Sequence, residues 1–154
     1  MELSKILSTE AVKVIAGASS KKRLFQDLSE LAASAYGLDA ERAADALMDR
    51  ESLGPTGVGH GVALPHARIE GIEDVRGVFL RLDKPVDFDA VDRRPVDLVF
   101  ALFAPSDAGV DHLKALALVS RSLRDSRLCD KLRANADPAT LHAVLTEGPA
   151  TQAA

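Results

Sequence analysis

The segment that decides how this chain is interpreted runs from Arg50 to His66: Arg-Glu-Ser-Leu-Gly-Pro-Thr-Gly-Val-Gly-His-Gly-Val-Ala-Leu-Pro-His. It holds four glycines, two prolines, a threonine and two histidines. Glycines let backbone N–H groups approach a ligand closely because they carry no Cβ. Pro65 restricts Leu64 to extended geometry and fixes the chain just ahead of His66. We therefore expect a loop that presents the His66 imidazole as a nucleophile toward a phosphoryl group.

The same segment offers donors for the phosphoryl oxygens. A carrier of this kind needs one exposed ring nitrogen, a second one that is hydrogen-bonded, and groups that stabilise the phosphoryl charge. We expect the Thr56 hydroxyl and the backbone at Gly59 and Gly61 to bind phosphate. Arg50 is a further candidate because a guanidinium matches phosphate geometry, the alternative being a solvated charge at a helix end. Glu51 would either orient Arg50 or be exposed.

His112 is the second histidine of interest. It falls in the first turn of a helix predicted over residues 110–124, on the same face as Leu116 and Leu123. Imidazoles on apolar helical faces are commonly structural, so a buried core histidine is the alternative. Because this helix follows the most apolar strand, its N-terminal N–H groups should lie at a sheet edge, where they favour anions. His112 would then donate to a phosphoryl group on His66.

Other chemistries have little support in the sequence. A zinc site made of His60, His66 and His112 lacks the usual His or Cys spacing. A hydrolase elbow of the Gly-x-Ser-x-Gly type is missing, and the glycine spacing matches neither a kinase phosphate loop nor a dinucleotide fingerprint. We interpret His60 as an exposed loop residue and His142 as part of a peripheral helix. We expect neither a metal nor a cofactor.

Composition indicates one globular domain. At 154 residues, 47% of them hydrophobic, the chain can bury a sizeable core, and its net charge of −4 includes no basic block, so nucleic acid is not expected as a partner. The single cysteine, Cys129, excludes an internal disulfide and is interpreted as a buried apolar residue. Apolar runs fall short of the roughly 20 residues that span a bilayer, and a signal-peptide pattern is missing. We expect a cytoplasmic protein without membrane insertion.

Periodicity predicts helices flanking a few strands. Ser19 or Ser20 can cap a helix that ends at Gly37, and Asp39 can cap the next helix, which ends near Glu51. Residues 1–9 are expected to be extended or irregular. The other predicted helices are 10–16, 110–124, 127–135 and 138–146, and the predicted strands are 61–64, 75–82 and 96–103, with a turn at 83–85. This order predicts an α/β sandwich whose sheet is covered on both faces. The domain would span residues 1–147, followed by a flexible tail over 148–154.

Several of these segments resemble a known family. Arg50-Glu51 followed by Gly54-Pro-Thr-Gly-Val-Gly-x-Gly-Val-Ala-Leu-Pro65-His66 is similar to the signature of the IIA proteins of the fructose–mannitol class (IIA type 2) of the bacterial phosphotransferase system. The later segments Pro85-Val-Asp-Phe88, Asp92, Pro95-Val-Asp97 and His112-Leu113 fit the same pattern. Pro55 departs from it, since the family often has a small polar residue there. Within the class, the chain looks most like the nitrogen-regulatory IIA proteins.

The resemblance implies both a fold and a chemistry. The family fold is a mixed five-stranded sheet flanked by helices. His66 would be the phosphorylated residue, with His112 beside it and Arg50 contributing to the site. The phosphoryl donor would be an HPr-like protein, itself charged by an enzyme I-like protein. Regulated partners would include potassium transport systems or sensor kinases.

Three functions are open at this point. The first is a regulatory phosphocarrier that accepts a phosphoryl group on His66 and acts on partner proteins according to its phosphorylation state. The second is a sugar-transport IIA component that passes the group to a IIB domain. The third is a binding module in which His66 is structural, and such a protein would gain no acid-labile phosphoryl group.

Overall fold

The computed structural model describes residues 1–147, so the tail expected over 148–154 lies outside the described part. Within residues 1–147 the chain forms six α-helices, six strands and one short 3₁₀ turn, Thr9–Ala11. The helices are α1 (Leu3–Ile6), α2 (Lys21–Tyr36), α3 (Ala40–Glu51), α4 (Val110–Leu123), α5 (Ser126–Ala134) and α6 (Pro138–Thr146). The strands are β1 (Val12–Ile15), β2 (Gly57–Gly59), β3 (Val62–Ala63), β4 (His66–Ile69), β5 (Arg76–Val86) and β6 (Val96–Pro105).

Strand β6 lies at the centre of a mixed sheet with the order β1-β5-β6-β3-β2. β5 runs antiparallel to β6, whereas β3 and β4 both pair with it in parallel, β3 at Leu98 and β4 from Leu102 onward. β3 and β4 therefore behave as one strand interrupted at Pro65, which has no N–H for the ladder. The sheet has five positions across, and the expectation of a mixed five-stranded sheet in a single α/β domain is confirmed.

The sheet is covered on both faces around β6. All but one of its side chains are buried, and successive residues of a strand point to opposite faces. Helices α2 and α4 contact β5 and β6 respectively, while α6 contacts the edge strand β1. The predicted sandwich is thus the observed one.

Helix boundaries follow the capping residues that the sequence offers. The Ser20 side chain accepts a hydrogen bond from the Arg23 N–H at the start of α2, and Gly37 ends that helix in the left-handed region with φ of 75°. The Asp39 side chain accepts from the Arg42 N–H at the start of α3. The predicted limits of these two helices are confirmed.

Three predictions of local structure are wrong. Residues 10–16 do not form a helix, because Val12 to Ile15 pair in parallel with β5 as strand β1. Residues 1–9 are not extended or irregular throughout, since they contain α1 and begin the 3₁₀ turn. The turn expected at 83–85 is the end of β5, which continues to Val86 where its pairing with β6 shifts register. In each case a tertiary neighbour outweighs the local propensity.

No helix among residues 1–147 is long and apolar enough to cross a membrane.

Candidate functional site

His66, His112 and Arg50 line one surface cavity with a volume of about 500 Å³. Arg50 comes from the last turn of α3, His66 is the first residue of β4, and His112 lies in the first turn of α4. Three elements far apart in sequence therefore bring together the three residues that the sequence singled out. The remaining lining residues are Ala46, Asp49, Leu53, Ala67, Arg68, Leu113 and Leu116.

Only one nitrogen of the His66 ring, Nδ1, has a hydrogen-bond partner among residues 1–147. Nδ1 lies 2.9 Å from the Leu64 carbonyl oxygen. Because a carbonyl oxygen only accepts, Nδ1 carries the hydrogen, and the lone pair of the neutral ring is on Nε2. Partial burial lowers the pKa of His66 below its ordinary value of 6.5, as does the Arg50 guanidinium, while the Leu64 hydrogen bond and the Glu51 carboxylate oppose this. The ring is therefore neutral and nucleophilic at neutral pH.

His112 stands beside this ring with an unsatisfied nitrogen. The two imidazoles meet edge to face, with centroids 5.5 Å apart and planes at 71°. His112 is 7% exposed, and its Nε2 is buried without a hydrogen-bond partner among residues 1–147. Burial lowers the pKa of His112, and nearby His66 and Arg68 act in the same direction. Since leaving a buried polar atom unpaired is costly, this nitrogen is suited to bind an oxygen that arrives with a ligand.

Two arginines, Arg50 and Arg68, and one aspartate, Asp49, line the cavity along with the two histidines. Arg50 donates from Nη1 to the Gly54 carbonyl oxygen at 3.1 Å, which restrains its guanidinium at the cavity wall. Arg68 donates from Nη1 to the Ser106 carbonyl oxygen at 3.3 Å. Sequence reasoning missed Arg68. Recognising residues 66–69 as a strand would have found it, because residues i and i+2 of a strand lie on the same face.

Thr56 does not take the role expected of it. It is 5% exposed, and its hydroxyl donates to Glu51 Oε1 at 2.6 Å while its backbone N–H donates to Oε2 at 3.0 Å. The hydroxyl proton is thus used by a buried carboxylate rather than offered to phosphate. Glu51 is neither exposed nor an orienting partner of Arg50; its Oε2 also accepts from Lys21 Nζ at 2.9 Å. Both expectations for Glu51 are corrected.

Gly59 and Gly61 also lie away from the His66 cavity. Gly61 accepts hydrogen bonds from Asp97 and Leu98 at the start of β6, whereas His66 pairs near the end of that strand. A Cβ at Gly61 would fall 2.5 Å from Arg133 Nη2, and one at Gly59 would fall 3.3 Å from an Asp92 carboxylate oxygen. Close packing, not phosphate, is what the structure shows these glycines to accommodate.

The other histidines and the cysteine have structural surroundings. His60 is exposed, its N–H donates to Asp92 at 2.8 Å, and its carbonyl accepts from Arg133 at 2.7 Å. His142 donates from Nε2 to the Leu7 carbonyl oxygen at 2.9 Å, which ties α6 to the N-terminal segment. Cys129 is buried, as expected, and burial raises its pKa. Across residues 1–147, no three His, Cys, Asp or Glu side chains are grouped to hold a metal ion.

A mixed sheet that carries a free imidazole nitrogen beside a second histidine and an arginine agrees with the family that the sequence resembles. Residues 5–148 match the family described as "Phosphoenolpyruvate-dependent sugar phosphotransferase system, EIIA 2". The chain belongs to this family of phosphotransferase-system proteins.

Its relatives within that family indicate a narrower group. The Nitrogen regulatory protein of Bradyrhizobium diazoefficiens is 44% identical over 99% of this chain and 100% of its own length. That of Klebsiella oxytoca is 41% identical over 96% of this chain and 91% of its own length. The crystal structure of nitrogen regulatory protein IIA-Ntr from Neisseria meningitidis superposes with a TM-score of 0.84 at 33% identity, covering 94% of this chain and 99% of that one. The resemblance to the nitrogen-regulatory IIA proteins is confirmed.

Proposed function

We propose that this protein is a regulatory phosphocarrier that accepts a phosphoryl group on Nε2 of His66 from an HPr-like protein. The observation that carries the proposal is the hydrogen bond from Nδ1 to the Leu64 carbonyl, which leaves the lone pair on Nε2. His66 lines a cavity together with His112 and Arg50. The family and the nitrogen regulatory relatives supply the biological setting.

The transfer step needs no cofactor in this scheme. The neutral Nε2 of His66 attacks the phosphorus of the donor's phosphohistidine, the phosphorus–nitrogen bond of the donor breaks, and the donor ring leaves with its own electron pair. The hydrogen on Nδ1 stays in place and remains bonded to the Leu64 carbonyl, so the ring becomes cationic next to the phosphoryl oxygens. Arg50 and the unpartnered nitrogen of His112 stabilise those oxygens by position and charge.

The regulatory effect follows from the charge that phosphorylation brings. A phosphohistidine places a group of about −2 charge beside the exposed side chains of Leu53 and Leu113, which are 83% and 65% exposed. Partners that dock on an apolar surface would lose affinity, and partners with basic groups would gain it. Potassium transport systems and sensor kinases are the candidate targets. We expect the exchange in the cytoplasm, where phosphoenolpyruvate is available.

Sugar transport is the weaker alternative. The relatives with the higher identities carry the name nitrogen regulatory protein, and this name favours regulation over delivery to a sugar-specific IIB domain. Measuring phosphoryl transfer from the labelled protein to candidate IIB proteins separates the two roles. Efficient transfer to a sugar-specific IIB domain would favour transport.

Incubation with phosphoenolpyruvate, enzyme I and an HPr-like protein tests the proposal directly. We expect an acid-labile mass gain of one phosphoryl group on the wild-type protein and none on His66→Ala. The fold should tolerate that change, with a loss below about 1 kcal/mol. His60→Asn is the matched control, since it removes an exposed histidine outside the cavity and should still be labelled. His112→Ala should be labelled but should retain or pass on the group at a different rate.

Two results would contradict this assignment. Labelling of His66→Ala would place the phosphoryl group elsewhere. Absence of any acid-labile gain on the wild-type protein, with an active donor, would favour a binding module in which His66 is structural.

A further inference from the structure

We infer that Glu51 and Thr56 are positioning residues for the phosphoryl transfer, because a chain of hydrogen bonds runs from the buried Glu51 carboxylate to the Nδ1 of His66. This inference rests on the proposed function for its consequence in transfer. Its structural part, the orientation and tautomer of the ring, can be tested without any phosphoryl donor.

The hydrogen bonds nearest the site involve the backbone groups of Leu64 and Thr56. His66 Nδ1 donates to the Leu64 carbonyl oxygen at 2.9 Å. The Leu64 N–H in turn donates to the Thr56 carbonyl oxygen at 2.9 Å. Leu64 is 4% exposed and is followed by Pro65, so its peptide groups have little freedom to reorient. Thr56 therefore helps to fix the oxygen that holds the His66 ring, together with β6, whose Leu102 N–H donates to the Pro65 carbonyl oxygen at 2.9 Å.

Thr56 is held by one carboxylate through two bonds. Its N–H and its hydroxyl donate to the two oxygens of Glu51, at 3.0 Å and 2.6 Å. Lys21 from α2 completes the arrangement, with Nζ 2.9 Å from Glu51 Oε2 and 4.5 Å from the centre of the Phe88 ring. The Glu51 side chain is 5% exposed, so it is a buried carboxylate whose charge is balanced by an ammonium group and satisfied by charge-assisted hydrogen bonds.

This arrangement exceeds what closing the loop requires. Residues 52–56 form the tight connection between α3 and β2, and the Gly54 N–H already bonds to the Glu51 carbonyl at 3.1 Å. The carboxylate adds two hydrogen bonds to Thr56, the residue whose carbonyl accepts from the Leu64 N–H. The coupling is mechanical, because the N–H and the C=O of Thr56 belong to different peptide groups. Reacting side chains must be held within about 0.5 Å of their productive geometry, and two hydrogen bonds to one carboxylate restrict Thr56 in this way.

Thr56→Val tests the inference with Thr56→Ser as its matched control. Valine keeps the shape and the backbone bonds but removes the hydroxyl, whereas serine keeps the hydroxyl. Long-range proton–nitrogen NMR of the unphosphorylated protein reads the tautomer of His66. We expect the Nδ1–H tautomer alone in wild type and in Thr56→Ser, and a mixture of both tautomers in Thr56→Val. Phosphoryl acceptance, measured in single turnover, should fall roughly tenfold in Thr56→Val only.

Glu51→Gln is a second, independent test of the same inference. An amide presents two hydrogens where the carboxylate accepts, so it cannot satisfy Lys21 and both donors of Thr56 at once. The same mixed tautomer and slowed acceptance are expected, and this variant decides the matter if Thr56→Val does not fold. A wild-type tautomer and rate in a folded Thr56→Val or Glu51→Gln protein, even with lowered stability, would overturn the inference. A wild-type protein that shows the Nδ1–H tautomer but is never labelled would instead contradict the proposed function.

Discussion

At His66, burial and a backbone hydrogen bond pull in opposite directions. Loss of solvation favours the neutral ring and lowers the pKa of His66. The hydrogen bond from Nδ1 to the Leu64 carbonyl favours the protonated ring and raises that pKa. The combination suits a phosphoryl acceptor. The attacking nitrogen is unprotonated before transfer, and the other nitrogen stays protonated afterwards.

The pH dependence of His66 follows from the lowered pKa. An ordinary imidazole is half protonated at its usual pKa of 6.5, so we expect the Cε1–H resonance of His66 to titrate with a midpoint below that value. Phosphoryl acceptance should therefore persist to lower pH than it would with an ordinary imidazole. NMR titration of the free protein measures the midpoint without interference from the donor's own titration.

The same shift has a consequence for stability. Because the folded state holds His66 with a lowered pKa, the unfolded chain binds more protons once the pH falls below about 6.5. The free energy of unfolding should then decrease with falling pH down to the folded pKa and change no further below it through this group. His66→Ala should show a smaller decrease over that interval. A midpoint at or above 6.5 would contradict both expectations.

The residues of the site were partly predictable. Arg50, His66 and His112 could be singled out because their residue types suit phosphoryl chemistry. Thr56, Gly59 and Gly61 could not be placed, since a glycine-rich segment indicates that the backbone can turn but does not indicate where the chain goes after the turn. The chain turns at His60 and enters β3, so those glycines lie at one end of β6 and His66 near the other. A contact between Thr56 and Glu51, five residues apart, is likewise invisible without the loop that joins them.

At the level of elements, one tyrosine hydroxyl joins three segments. Tyr36, the last residue of α2, accepts from the Ser8 N–H at 2.9 Å and donates to the Gly77 carbonyl of β5 at 2.7 Å. Its ring lies 5.5 Å from the Arg76 guanidinium carbon. The hydroxyl thus anchors the N-terminal segment and the end of α2 to the central strands.

Tyr36→Phe should lower the free energy of unfolding by about 1–3 kcal/mol, since it leaves the Ser8 N–H without its partner. Phenylalanine keeps the ring and its contact with Arg76, so the loss is assignable to the hydroxyl. Urea denaturation followed by circular dichroism measures it, with a lower midpoint and an unchanged m-value. An unchanged midpoint would mean that the N-terminal segment contributes little to the stability of the fold.

Elements with strong local signals were predicted, and those that depend on a neighbour were not. α2 and α3 carry their own caps, and β6 is apolar except at Asp97. Residues 12–15, in contrast, alternate too briefly to be recognised and become a strand because β5 offers an unpaired edge. The segment 66–69 is a strand for the same reason, its partner being the end of β6.

On the scale of the whole molecule, two exposed leucines lie at the site. Leu53 follows α3 and Leu113 lies in α4, and both are well exposed at the cavity that contains His66. A donor that brings a phosphohistidine to Nε2 of His66 has to approach past these two leucines, so the proposed function predicts that an HPr-like donor contacts them.

Leu53→Gln and Leu113→Gln should therefore weaken donor binding without affecting the chemical step. We expect the KM for the phosphorylated donor to rise roughly tenfold, the equivalent of about 1.4 kcal/mol of lost contact, with kcat unchanged. Val91→Gln is the matched control, because Val91 is 70% exposed but does not line the cavity. Initial rates over a range of donor concentrations give both constants. If Val91→Gln raised the KM as much as the leucine variants, or if the leucine variants lowered kcat alone, the donor would not contact these two leucines.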